Sequence, residues 1–145
     1  MGKEEPRRNQ KGFTLIELLV VMVIIGLLGA LVGPRLFGQT ETARLKAAKM
    51  QISDFETALD LFRLDVGRYP TTEEGLKALR EKPSGAERWQ GPYLKKEIPM
   101  DPWGKAYIYK SPGDNGDCDI ISFGADGVEG GEGKNQDVVS WKDIS

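Results

Sequence analysis

The chain predicts an α+β fold, with one long N-terminal helix laid against a small antiparallel sheet. Three observations carry this. Phe13 to Gly33 is a run of 21 residues in which Glu17 is the one ionisable side chain. Leu45, Ala48, Ile52, Phe55, Leu59, Phe62 and Val66 then recur at alternating steps of three and four, the stripe of a half-buried helix. Beyond Tyr69-Pro70, short apolar segments alternate with clusters of Gly, Pro, Asn and Asp, as short strands joined by turns do.

The first element is the apolar run. As a helix it spans roughly 30 Å, about the hydrocarbon thickness of a bilayer. From Leu18 to Val32 every residue is apolar or glycine. The leader from Met1 to Gly12 carries Lys3, Arg7, Arg8 and Lys11 against Glu4 and Glu5, so charge bias keeps it cytoplasmic and sends the rest across the membrane. The run is long for a secretory signal, and Pro34-Arg35 spoil the cleavage site that Ala30 and Gly33 would otherwise suggest. Pro6 occupies the Ser/Thr position of a myristoylation start. A plain membrane anchor fits the hydropathy alone. Glu17 asks for more, because an unpaired carboxylate in lipid costs several kcal/mol. A partner for it implies assembly.

The helix continues past the anchor. Pro34 lacks an N–H and clashes one turn back, so a kink is expected there. Gly29 and Gly33 have the G-x-x-x-G spacing of close helix packing, although the same glycines would also ease local melting. The Leu45–Val66 stripe has a wet opposite face of Lys46, Lys49, Gln51, Asp54, Glu56, Asp60 and Arg63. A coiled coil would read this way too, but the domain that follows needs an apolar face to pack on. Gly67 and Tyr69-Pro70 should end the helix. Anchor and stripe together make one kinked helix of about 50 residues, roughly 75–80 Å long.

The remaining elements are short. Thr71 and Glu74 have capping-box spacing ahead of a short helix with Leu76 and Leu79 on its apolar side. Arg80 to Pro92 reads as loop, with Trp89, Tyr93 and Leu94 as core pegs in preference to an aromatic recognition patch. Asp101-Pro102-Trp103-Gly104 turns into a strand near Ala106–Tyr109. Asp119–Phe123 reads as a second strand, after the turn from Pro112 to Asp117, and Val138–Trp141 as a third.

Composition narrows the function classes. The formal net charge of −2 gives no footing for nucleic acid. There is no histidine, which removes the commonest general base and zinc ligand. Cys118 is the single cysteine, so no intrachain disulfide closes the C-terminal region. From Ser111 onward there are eight acidic side chains against two basic ones. Within that tail, Phe123 to Asp137 is glycine-rich and, past Phe123, holds one large apolar residue, Val128. Ordering such a loop costs about 1–2 kcal/mol per residue. Calcium would suit it, since calcium takes six to eight oxygens in flexible geometry and glycines let carbonyls converge. EF-hand spacing is absent, and Gly130-Gly131-Glu132-Gly133 is one incomplete RTX-like repeat. The residues alone leave calcium and a solvated acidic loop both open.

Gly12-Phe13-Thr14-Leu15-Ile16-Glu17 resembles the processing site of type IV pilin-like proteins. The resemblance implies cleavage between Gly12 and Phe13 by a prepilin peptidase that also methylates the new N-terminus at Phe13. It implies, too, that Glu17 pairs with the N-terminal amine of a neighbouring subunit. Beyond Pro70 the chain is similar to the major pseudopilin of the bacterial type II secretion system. Arg68-Tyr69-Pro70-Thr71, Glu74-Gly75-Leu76-Lys77-Ala78-Leu79, Trp89-Gln90-Gly91-Pro92-Tyr93-Leu94, Asp101-Pro102-Trp103-Gly104 and Phe123-Gly124-Ala125-Asp126-Gly127 carry that similarity. It implies a leader at 1–12, a membrane and filament-core helix at 13–34, and a periplasmic domain at 35–145. It also implies one structural Ca²⁺, held by the Phe123 and Val128 carbonyls and the Asp126 and Asp137 side chains. Gln136 stands where the family often has an acid, and its amide oxygen is a weaker ligand.

The expected protein is therefore a structural subunit without a catalytic site. It would form a homo-oligomeric helical filament in the periplasm of a Gram-negative bacterium, with minor pseudopilins at the tip and the inner-membrane secretion platform at the base. Filament growth would drive export of folded proteins. A type IV pilin or a minor pseudopilin is the alternative. A membrane-anchored enzyme is the third reading, with Asp117 and Asp119 as its carboxylates, but no nucleophile–base pair accompanies them. Asp114, Asp117 and Asp119 are expected as turn and surface residues.

Overall fold

The computed structural model describes Gly2 and residues 11–144. Lys3, Glu4, Glu5, Pro6, Arg7 and Arg8 of the leader lie outside the described residues. Two compact units divide the chain, residues 1–38 and 39–145. One helix, α1, runs Leu15–Val66 and carries Pro34 inside it.

In the first unit, α1 has no core to join. Phe13, Leu15, Ile16, Leu18, Leu19 and their apolar successors through Val32 are exposed. By length and composition this stretch can cross a membrane. Its start is set by Thr14. The Thr14 N–H donates to Glu17 Oε2 at 3.0 Å and the Glu17 N–H donates to Thr14 Oγ1 at 3.3 Å. That is a capping box, two otherwise orphaned donors satisfied reciprocally.

The second unit holds the core. All seven positions of the expected stripe pack inward: Leu45, Ala48, Ile52, Phe55, Leu59 and Phe62 are buried, and Val66 is partly buried against them. Gly67 ends α1 at φ 89°, where its N–H reaches Arg63 O at 2.8 Å. Only glycine takes that left-handed conformation without strain, and the bond closes a helix-end carbonyl. Thr71 and Glu74 form their capping box, with bonds of 2.8 and 3.2 Å. The element that follows is a 3-10 helix, Leu76–Leu79, rather than an α-helix. Trp89, Tyr93 and Leu94 pack against the core as expected. Trp89 Nε1 donates to Ala78 O at 2.8 Å, and the Tyr93 ring meets Phe62 and Trp89 edge-on at 5.7 Å.

Three strands form one antiparallel sheet, ordered β1 (Ile108–Lys110), β2 (Asp119–Ser122), β3 (Val138–Val139). Tyr109 faces Ile120 across β1–β2, and Ser122 faces Val138 across β2–β3. Tyr109, Ile120 and Val138 turn to the α1 stripe, where Phe55 also meets Tyr107 edge-on at 5.1 Å. The Tyr109 hydroxyl donates to Pro70 O at 2.8 Å, tying the sheet to the chain leaving α1.

One expectation needs correcting. Asp119 is not a surface residue but is 2% exposed. Its Oδ2 accepts from Asp114 N–H, Asn115 N–H and Asn115 Nδ2 at 2.8–3.1 Å. The donors of the 112–117 turn converge on Oδ2 and offset part of the cost of burying the carboxylate, while Oδ1 is buried with no hydrogen-bond partner. Asp114 and Asp117 are exposed and pair with Lys110 and Arg63.

Candidate functional site

Two places carry the chemistry expected of the sequence, one in each unit. In the first, Lys11 to Thr14 precede the helix without regular structure. Gly12 stands in open space, and Phe13 is 86% exposed. The Gly12–Phe13 peptide is thus main chain outside regular structure, with both residues exposed. Glu17 was expected to need a partner from outside the chain. Within the chain its Oε2 accepts from the Thr14 N–H, a neutral donor that sets the helix start and is not the opposite charge expected of a neighbour. The Thr14-x-x-Glu17 spacing could have given this from sequence, but the charge in an apolar setting masked the local signal.

The second place is the loop after β2. Its entry is fixed by Asp101, a buried acid that sequence reading took only as part of a turn. Asp101 Oδ2 accepts from Ser122 Oγ at 2.7 Å, and Oδ1 accepts from the Trp103 and Lys105 N–H groups at 3.1 and 2.8 Å. Gly124 then turns at φ 66°, with Gln136 O 2.5 Å from where a Cβ would stand. A side chain there would force the two ends of the loop apart.

Within the loop, Phe123 O accepts from Gly127 N–H at 3.2 Å, and Asp126 Oδ1 accepts from Val128 N–H at 3.2 Å. Asp137 Oδ2 accepts from Gly130 N–H at 2.8 Å, while its Oδ1 is buried with no hydrogen-bond partner. Burial raises the Asp137 pKa above the ordinary carboxylate range. The Gly130 bond opposes this, and the negative charges of Asp126 and Glu129 add to it. Gln136 Nε2 donates to Gly133 O at 2.8 Å. The Lys105 side chain lies against Gly127.

These residues fit a hard cation. An orphaned carboxylate oxygen faces no donor, and neighbouring carboxylates repel it toward protonation. A cation would answer both. Among the described residues no group of three or more acidic, Cys or His side chains is placed to hold a metal. The donor set would have to include main-chain carbonyls such as those of Phe123 and Val128, which is how calcium sites are commonly completed.

Asp117 and Asp119, the carboxylates of the third reading, line one pocket with Glu56, Asp60 and Cys118, but each already has other partners. Asp119 is committed to the turn, and Asp117 projects into solvent beside Arg63. Cys118 has no reactive setting, since burial, with the nearby acids Glu56, Asp117 and Asp60, pushes its thiol up to about 11.

Comparison with known proteins assigns the chain. The family described as "Type II secretion system (T2SS), protein G" matches residues 35–141. The chain belongs to this family. The "Prokaryotic N-terminal methylation motif" matches residues 7–33 and so brackets the Gly12–Phe13 bond. The chain is 47% identical over 137 residues to the type II secretion system core protein G of Vibrio cholerae, covering 92% of this chain and 93% of that one. It is 44% identical over 138 residues to the Pseudomonas aeruginosa core protein G, covering 93% and 97%. A solved major pseudopilin from the type 2 secretion system of enterohaemorrhagic Escherichia coli matches with a TM-score of 0.61 at 38% identity, over 74% of this chain and 95% of that chain. Protein G membership makes this chain a major pseudopilin, a structural subunit of type II secretion, and decides against a type IV pilin or a minor pseudopilin. The protein G fold, a long helix against three short strands, is the fold the sequence predicts.

Proposed function

We propose that a prepilin peptidase cuts this chain between Gly12 and Phe13 and methylates Phe13, and that the product polymerises through residues 13–34. The filament stands in the periplasm, with minor pseudopilins at its tip and the inner-membrane platform at its base, and its growth moves folded proteins outward. The chain contributes no catalytic group in this reading. The observation that carries it is in the first unit: a helix whose large apolar side chains from Leu15 through Val32 are exposed, broken by one carboxylate. Lipid serves the apolar residues before assembly, and identical helices serve them afterwards. Glu17→Ala should leave membrane insertion intact while pseudopilus yield in sheared-cell fractions falls by at least about tenfold, the factor for ~1.4 kcal/mol. Normal yield and filament length with Glu17→Ala would remove Glu17 from assembly.

In the second unit we infer one structural Ca²⁺ held by Phe123 O, Val128 O, Asp126 and Asp137. Gln136 would be a fifth, uncharged donor through its amide oxygen, since its bond to Gly133 O uses the amide nitrogen. The unpartnered Asp137 Oδ1 supports this reading. Calcium at a hundred times Kd stabilises by about 2.7 kcal/mol, which raises the melting temperature by about 10 °C for a domain of this size. Asp126→Ala and Asp137→Ala should each remove most of that rise, and Asp114→Ala should not. The effect also depends on pH. A carboxyl whose folded pKa is raised binds its proton more tightly folded than unfolded. Without calcium, Asp137 therefore contributes stability at low pH that is lost as pH rises through its raised pKa. Calcium binds the ionised form, so the calcium-dependent rise in melting temperature should grow across that same window. Equal melting in calcium and chelator at neutral pH would leave the loop as a solvated acidic segment.

A further inference from the structure

Three main-chain carbonyls of the C-terminal segment converge on one side chain of α1. Lys49 Nζ donates to Val139 O at 2.8 Å, to Lys142 O at 2.9 Å and to Ser140 O at 3.3 Å. An ammonium has three protons and no acceptor, so these three bonds use all it offers. The carbonyls, in turn, have no further strand to pair with, because β3 is the outer strand of the sheet. On the other side of the same segment, Ser140 N–H donates to Ile120 O at 3.0 Å and Ser140 Oγ accepts from Ile120 N–H at 3.1 Å. Residues 139–142 are held between β2 and a charged staple from the helix.

This segment begins two residues after Asp137. The entry of the acidic loop is fixed by Asp101 and Ser122, and its exit is fixed by β3 and Lys49. With both ends held, the buried Oδ1 of Asp137 has a set position before any cation arrives. A loop ordered beforehand does not charge its ordering entropy against binding.

We propose that Lys49 is a positioning residue for the cation site: its ammonium closes the C-terminal segment, as a disulfide would, and thereby sets Asp137 for calcium. The proposal rests on the calcium reading above. Lys49 itself touches no proposed ligand. Groups that orient metal ligands from behind typically change affinity by 10–100-fold when removed. Lys49 is placed to act in that way through three backbone bonds.

The test uses the full chain in detergent micelles, titrated calorimetrically with calcium chloride. Lys49→Met keeps most of the stem but loses the donors, and the calcium Kd should rise about tenfold. Lys49→Arg keeps charge and donors and should recover part of that loss. Lys46→Met, on the exposed side of the same helix turn, should leave Kd unchanged. In chelator, the Ser140 amide should exchange hydrogen faster in Lys49→Met than in the native chain, which reads the staple without metal. A native chain that binds no calcium overturns the calcium reading and this proposal with it. A native chain that binds, beside a Lys49→Met variant that binds equally well, overturns the positioning role alone, even if the variant melts at a lower temperature. Equal amide exchange at Ser140 overturns the staple itself.

Discussion

Glu74 shows how much one side chain can organise. Its two oxygens accept from Arg68 Nη1 and Nη2 at 2.7 and 2.9 Å, and one also accepts from the Thr71 N–H at 2.8 Å. The Arg68 bonds, helped by Thr71 and opposed by partial burial, hold its carboxyl below the ordinary range. A depressed carboxyl contributes stability above its unfolded pKa and loses it as pH falls through the folded value. Glu74→Gln should therefore cost about 1 kcal/mol at neutral pH. In urea melts the gap to the native chain should close once the pH is below the carboxylate range. A gap that persists in acid would point to packing, with the charge irrelevant. Thr71 and Glu74 were legible as a pair because their spacing is a local signal. Asp101 and Asp119 were not. Both are buried acids that accept from N–H groups of their own turns, Asp119 also from the Asn115 amide and Asp101 also from the distant Ser122 hydroxyl, and nothing in an Asp beside Pro or Cys announces their burial.

At the scale of elements, periodicity served best where the element was long. The three-four stripe placed every core residue of α1 except Ala58, which widens the buried face beside Leu59, because a helix repeats its face many times over. The strands are too short to average out local choices. Sequence put the first near Ala106–Tyr109, and it lies at Ile108–Lys110. Pairing decides this, since β2 starts at Asp119 and sets Lys110 opposite it. Tyr107 is still a core residue, packed on Phe55, but it sits outside the ladder. The third strand was expected through Trp141 and stops at Val139. Its later carbonyls go to Lys49, a cation ninety residues earlier in the chain. Periodicity sets Lys49 on the wet face of the stripe, and no signal local to it announces the carbonyls it meets ninety residues later. Of the proposed calcium ligands, Asp126, Asp137, Phe123 and Val128 lie on the loop whose ends Gly124 and Gln136 bring together, and the amide nitrogen of Gln136 bonds within the loop to Gly133.

At the scale of the molecule, stability and assembly occupy different residues. Among the described residues every buried core residue lies between Leu45 and Val138. The segment from Gln39 to Ser145 should therefore fold alone, with one cooperative urea transition whose midpoint matches that of the full chain in detergent. A lower or broadened transition would mean that the apolar half supports the fold. The capping box at the start of α1 bears on assembly in another way. Glu17 Oε2 already accepts from the Thr14 N–H, so the helix start is set before any neighbour arrives. A carboxylate has acceptor sites on both oxygens, so the amine we propose for it would add an ion pair to that bond and displace nothing. An incoming subunit would then meet a side chain whose rotamer is already fixed, and less freedom would be left to lose on joining.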